Sequence, residues 1–154
     1  MKRRPFLLAA AALPLAARAH HGWSSFDQDR PVFLQGRVVA VKWQNPHAEL
    51  VVELPPDYRL PADLASRPVP PQAAGVDGKA LLARAVAPTR KDRRWEIELA
   101  PLTRLSAWQV APIPVGATVG ILGFTFKEEK GEAILRAEYL YVDGKAYGLR
   151  SSPA

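Results

Sequence analysis

A proline-rich stretch divides this chain into two groups of predicted strands. Seven of the 15 prolines fall within residues 55–92, and proline has no N–H to donate to a neighbouring strand. A continuous sheet therefore cannot run through this segment. We interpret it as an insertion that joins the strands on either side, and as a solvated surface loop rather than a lid over a substrate.

Alternating apolar and polar residues predict strands before and after the insertion. The clearest is residues 94–99, where Trp95, Ile97 and Leu99 are expected to point inward and the charged residues between them outward. Asp143-Gly144 is a strong hairpin signal between the last two segments. The predicted strands cover residues 32–42, 47–54, 94–99, 118–126, 133–142 and a short sixth at 145–149.

Residues 100–111 have the spacing of a short helix. Leu102, Leu105 and Trp108 recur at helical intervals, and Pro101 suits a first turn. A helix between the third and fourth strands is the order found in the OB-fold. The sequence therefore predicts a mainly β protein, a small OB-fold-like barrel of five to six strands with one short helix between strands 3 and 4. The alternative is a small open β-sandwich, which gives the helix no role.

The N-terminus has the three parts of an export signal. Residues 2–4 are basic, residues 6–17 are apolar, and Ala17-Arg18-Ala19 has the form of a signal-peptidase site. The apolar run is shorter than the roughly 20 residues that span a bilayer. We expect residues 1–19 to be cleaved after export by the Sec or twin-arginine route, which predicts a periplasmic or secreted protein. An N-terminal arm, residues 20–31, would then precede a single OB-like domain, residues 32–150, with the Pro-rich insertion at 55–92.

Charge and composition exclude several classes of function. Cleavage removes four of the 21 basic residues and none of the 15 acidic ones, which leaves a net charge of +2. This small charge argues against nucleic acid or a stable membrane association as a partner. The chain has no cysteine, and its one methionine is Met1. Disulfides, thiolate or thioether metal sites and thiol catalysis are therefore excluded.

The three histidines suggest a metal site. Cleavage after Ala19 would place His20 at the mature N-terminus, next to His21, and His47 closes a Trp43-Gln44-Asn45-Pro46-His47 segment. An α-amine and imidazoles lose protons readily to a metal near neutral pH, and nitrogen ligands without thiolate favour Cu(II) over Ni(II) or Zn(II). The predicted ligands are His20, His21 and His47. The predicted second shell or shielding comprises Asp27, Glu49, Trp23, Trp43 and Asn45.

Three functions remain open from the residues. The first is a non-enzymatic, exported binding domain for a divalent metal such as copper, or for a small polar ligand. The second is an accessory module of a periplasmic complex, which docks a protein partner through the arm and residues 55–92. The third is a small copper oxidase that uses the same ligands. No motif for catalytic residues is present, since Ser24 and Ser25 lack the elbow of a serine hydrolase and no Gly-rich phosphate loop occurs.

The motifs together resemble those of DUF6152, a family of exported bacterial proteins of unknown function. The resemblance depends on His20-His21-Gly22-Trp23 with Phe26-Asp27, on residues 34–38, on residues 43–47, on residues 95–99 and on Asp143-Gly144. It implies an exported small β-domain and supplies no activity. The insertion at 55–92 is longer than the connection expected for this family.

Overall fold

The computed structural model describes residues 21–154, which form a closed β-barrel with an additional edge strand. The strands are β1 (Val32–Lys42), β2 (Glu49–Glu53), β3 (Arg94–Glu98), β4 (Thr118–Phe124), β5 (Ile134–Val142) and β6 (Lys145–Gly148). The α-helices are α1 (Gly78–Arg84) and α2 (Leu102–Ala107). Single 3₁₀ turns occur at Trp23–Ser25, Leu64–Ser66 and Lys127–Glu129.

One parallel pairing closes the barrel. The strands follow the order β3-β2-β1-β4-β5-β6 through antiparallel pairs, and β3 pairs in parallel with β5. β1 through β5 therefore form the ring, and β6 extends it as a hairpin with β5. Because α2 lies between β3 and β4 in the chain, the predicted OB-fold-like barrel with a short helix is confirmed.

The barrel encloses a continuous apolar core. Trp95, Ile97 and Leu99 are fully buried, as their alternation predicts, and pack with the inward residues of β1, β2, β4 and β5. α2 adds Leu105 to this core. The barrel is tight at Gly36, where an added Cβ would collide with the backbone carbonyl of Glu53 on β2. Glycine at this position thus allows β1 and β2 to approach closely.

The insertion packs against the outside of the barrel, and the solvated-loop interpretation of residues 55–92 is wrong. Leu64 and Leu82 from the insertion are 6% and 4% exposed. They form a second apolar cluster with outward-facing barrel residues, namely Phe33, Leu122, Tyr139 and Tyr141. Prolines keep the insertion out of the sheet's hydrogen-bond ladder, but they do not stop its apolar side chains from covering the β1–β4–β5 surface.

Hydrogen bonds to the backbone of β1 hold both ends of the insertion. The Tyr58 hydroxyl donates to the Phe33 carbonyl at 2.9 Å, and Val86 forms an isolated parallel bridge with Val32.

In residues 21–154 no helix has the length and apolarity needed to cross a membrane. The predicted signal peptide, residues 1–19, and His20 lie outside the described residues.

Candidate metal site

The N-terminal arm lies against the barrel next to the end of β4. Phe26 stacks on Phe126 with ring centroids 5.0 Å apart, and the two residues form an isolated β-bridge. The Asp27 N–H donates to the Thr125 carbonyl at 2.9 Å. These contacts fix residues 26–27, and Trp23 lies against Phe124 of β4 and Arg136 of β5.

Trp23 anchors the beginning of the arm between two arginines. The Arg150 guanidinium lies 3.7 Å from the Trp23 ring centroid and that of Arg136 lies 4.9 Å from it. Arg150 is itself held by a 2.6 Å ion pair with Glu138, which is completely buried. Trp23 thus covers the guanidinium groups of Arg136 and Arg150. Arg136 also reaches the predicted metal site.

His47 is a buried residue. Its side chain is only 7% exposed, and it lies just before β2. Its Nδ1 is 3.8 Å from Glu49 Oε1, and its Nε2 is 3.8 Å from Glu98 Oε1. The imidazole therefore lies between two carboxylates that come from adjacent strands.

Sheet pairing places Glu98 at the centre of this cluster. Glu98 on β3 pairs with Glu49 on β2 and, on its other side, with Arg136 on β5. An Arg136 Nη1–H donates to Glu98 Oε2 at 3.2 Å. The other carboxylate oxygen, Oε1, faces His47. Burial raises the pKa of the Glu98 carboxyl, whereas the Arg136 hydrogen bond and the charge of a protonated His21 lower it.

His21 also approaches this cluster from the arm. Its ring makes edge contacts with Phe126, at 4.9 Å between centroids, and with Phe26, at 6.3 Å. His21 is close enough to Glu98 for a protonated imidazole to influence the carboxyl pKa. Of the three predicted ligands, His47 therefore lies beside Glu98, whereas His21 contacts Phe26 and Phe126 and acts on Glu98 only through its charge. The third, His20, falls outside the described residues.

The five predicted auxiliary residues have different roles. Glu49 faces His47 as expected and also pairs with Lys42 at 3.5 Å. Trp23 covers Arg136 and so screens the Glu98 ion pair from solvent. Asn45 and Trp43 serve the fold: the Asn45 side chain accepts from the Leu102 N–H at the start of α2, and Trp43 packs against the barrel core. Asp27 accepts from the Asp29 N–H and closes a local turn.

Within the described part of the chain, no three histidine, aspartate or glutamate side chains form a group that could hold a metal ion. His47 and Glu98 supply two donor atoms on one side of the cluster. A complete ligand set would therefore need further donor atoms. Sequence analysis missed Glu98. Its outward position in the alternation of residues 94–99 was visible, but its pairing with Glu49 was not.

Comparison with known proteins gives a resemblance to one family and no function. Residues 8–57, about a third of the chain, match the model of DUF6152, described as a family of unknown function. No curated protein matches the chain. No solved structure matches it either. The matched residues include the two N-terminal histidines, the arm, β1, the His47 turn and β2. Over this region, which supplies every predicted metal ligand, the protein resembles the DUF6152 family, as its motifs predict.

Proposed function

We propose that this protein is an exported, non-enzymatic binding domain that holds one divalent metal ion between its N-terminal arm and the barrel. Cu(II) is the best chemical fit. The ligands would be the α-amine and imidazole of His20 in the processed chain, the imidazole of His47, and the carboxylate of Glu98. His21 would act as an alternative imidazole ligand, and Glu49 would orient His47.

The observation that carries this proposal is the separation of His47 Nε2 and Glu98 Oε1. At 3.8 Å, these atoms are beyond ordinary hydrogen-bond distance. Two donor atoms that each lie about 2.0–2.2 Å from one ion are separated by roughly 3–4 Å. The pair thus has a spacing that a shared metal ion would satisfy. The position of Glu49 at the other ring nitrogen is the usual arrangement for a carboxylate that orients a metal-bound histidine.

Nitrogen donors and one carboxylate favour Cu(II) among the common divalent ions. The arm's own packing supports the location, since Trp23 and Phe26 hold the first described residues against β4 and β5. A protein-docking role for the arm is less well supported. Its aromatic side chains already contact the barrel, and among residues 21–154 the only large hydrophobic that is well exposed is Val115.

The exported protein should begin at His20 and bind about one Cu(II), more weakly at about pH 5 than at about pH 7.5, because protons compete for the amine and imidazoles. A glycine added before His20 should weaken binding at least about tenfold by removing the amine from its chelate. His47→Gln should weaken it by a similar factor, which corresponds to about 1.4 kcal/mol. N-terminal sequencing and calorimetric titration measure these quantities.

Equal Cu(II) affinities for the three proteins would contradict the proposal and make any bound copper adventitious. A loss of thermal stability in His47→Gln with unchanged affinity would instead assign His47 to the fold, as an imidazole held between Glu49 and Glu98. A mature N-terminus beyond His21 would remove the amine–imidazole chelate altogether.

Glu98→Gln should separate metal binding from folding. Gln keeps an oxygen that can accept the Arg136 hydrogen bond. Because burial raises the folded-state pKa of Glu98, ionisation of Glu98 costs stability as the pH rises above its ordinary range. The metal-free variant should therefore be as stable as the parent at neutral pH, within about 1 kcal/mol. Its Cu(II) affinity should fall about tenfold or more.

The matched control is Glu96→Gln, which removes the same charge from the same outward face of β3 two residues earlier. It should leave Cu(II) affinity within about twofold of the parent. If the two variants lose affinity equally, the effect is one of general charge, and Glu98 is not a ligand.

A further inference from the structure

A second candidate site lies where the insertion meets the barrel. A cavity of about 320 Å³ opens between the two parts. Arg67 and Pro68 from the insertion form one wall, and Val119, Gly120, Tyr141 and Val142 from β4 and β5 form the other. Arg136 and Tyr141 are five residues apart on β5, roughly 17 Å along the strand. The cavity is therefore separate from the proposed metal site.

Arg67 is held in place and still has donors to offer. Its Nη2 donates to Gln35 Oε1 at 2.7 Å and to Asp63 Oδ1 at 3.2 Å. The guanidinium lies over the Phe33 ring, 5.1 Å from its centroid. Within residues 21–154, Nη1 donates to no acceptor of the chain. Nη1 lies beside Gly120, where an added Cβ would approach it to 2.8 Å.

Tyr141 provides a second polar group on the opposite wall. The residue is 8% exposed, and its hydroxyl has no hydrogen-bond partner in the described part of the chain. A buried hydroxyl without a partner is costly, by about 1–3 kcal/mol. A bound acceptor would remove this cost. The Arg67 guanidinium lies 5.6 Å from the Tyr141 ring centroid, so the two side chains are neighbours in the cavity lining.

The charge and polarity of the lining define the ligand class. Arg67 and Lys145 are balanced by Asp63 and Asp143 at the same cavity, which disfavours a multiply charged anion such as phosphate. The remaining walls are largely apolar. We infer that this cavity binds a small organic monocarboxylate, with its carboxylate at Arg67 and the Tyr141 hydroxyl and its apolar body against Pro68, Val119 and Val142.

Phenylacetate is a suitable probe, with phenylacetamide as its neutral isostere and inorganic phosphate as an anion without an apolar body. Titration of the isotope-labelled protein to about 10 mM probe, within the range expected for a fragment of this size, should shift the amide signals of Gly120 and Val142. Phenylacetamide should bind about tenfold more weakly, and phosphate should leave these signals unchanged.

Two lysine variants test the electrostatic contribution to carboxylate binding without disturbing the fold. Lys145 is exposed at the cavity rim, so Lys145→Ala should weaken phenylacetate binding severalfold. Lys79→Ala, an exposed lysine on α1 outside the cavity, should have no effect. Arg67→Gln should abolish the shifts, and its unfolding curve would show whether the fold is retained.

Three results would overturn the inference. The first is the absence of shifts at Gly120 and Val142 with phenylacetate. The second is equal binding of phenylacetate and phenylacetamide, which would make the cavity a site for apolar molecules in general. The third is phosphate binding as tight as that of phenylacetate, which would make it a site for simple anions. None of these results bears on copper binding.

Discussion

Trp95→Ala should lower the free energy of unfolding by about 3–5 kcal/mol, the cost of truncating a large aromatic side chain in a core. Trp95 is completely buried and is among the largest fully buried side chains of the described residues. Its indole N–H donates to the Asp92 carbonyl at 3.0 Å, and that carbonyl would lose its partner. Denaturant unfolding followed by circular dichroism measures the change.

The control for Trp95→Ala is Trp43→Ala, which removes the same side chain from a position only partly buried against the same core. Its effect should be clearly smaller. A loss of less than about 1 kcal/mol for Trp95→Ala would contradict the assignment of the β3 inward face to the barrel interior.

Replacing residues 60–84 with a short flexible linker should destabilise the protein by more than about 5 kcal/mol or prevent folding, because it exposes apolar barrel side chains that the insertion now covers. Those side chains include Phe33, Leu122 and Tyr139, which are fully buried in the intact chain. The expectation is opposite to that for a solvated loop. Soluble expression and thermal unfolding measure the outcome.

Point variants in α1 refine this test. Leu82→Ala should cost about 2–5 kcal/mol because Leu82 packs into the second apolar cluster. Lys79→Ala, on the exposed side of the same helix, should change stability by less than about 0.5 kcal/mol. If a protein without residues 60–84 unfolds with the same midpoint as the parent, the insertion is dispensable for the fold.

Local patterns in the sequence were sufficient to predict the barrel. The first strand was predicted over 32–42, which are the bounds of β1, and the third ends one residue earlier than predicted. The second strand was predicted to begin at His47, but regular pairing starts at Glu49. Ala48 still exchanges backbone hydrogen bonds with residues 99 and 100. The chain therefore follows the predicted course here, and only the regular strand pairing starts later.

The packing of the insertion could not be predicted correctly because its apolar residues do not recur at the regular spacing of a helix or a strand. Leu64 and Leu82 are separated by a run of prolines and by short turns, so no helical or strand pattern marks them as buried. What buries them is the outward face of β1, β4 and β5. That face is apolar where Phe33, Leu122 and Tyr141 lie, and the antiparallel pairing of β1 with β4 and of β4 with β5 brings these residues together.

The candidate metal site was predictable only in its ligand types. The sequence placed His47 after the first strand, but its burial depends on Glu98 and Glu49, which become neighbours through the pairing of β2 and β3. Arg136 joins them through the parallel pairing of β3 and β5. Such contacts join residues about 40–90 positions apart in the chain, and no local pattern carries that information.

The position of Trp23 between Arg136 and Arg150 has a consequence for the thermodynamics of ligand capture. A free chain end has many conformations, and a ligand that must immobilise it binds more weakly because that conformational entropy is lost on binding. Here the arm is already immobilised when the chain folds, because Arg150, which forms an ion pair with Glu138, packs against Trp23. The arm is thus held against the barrel beside the Arg136–Glu98 pair before any ligand binds, as a preorganised tether rather than a free segment.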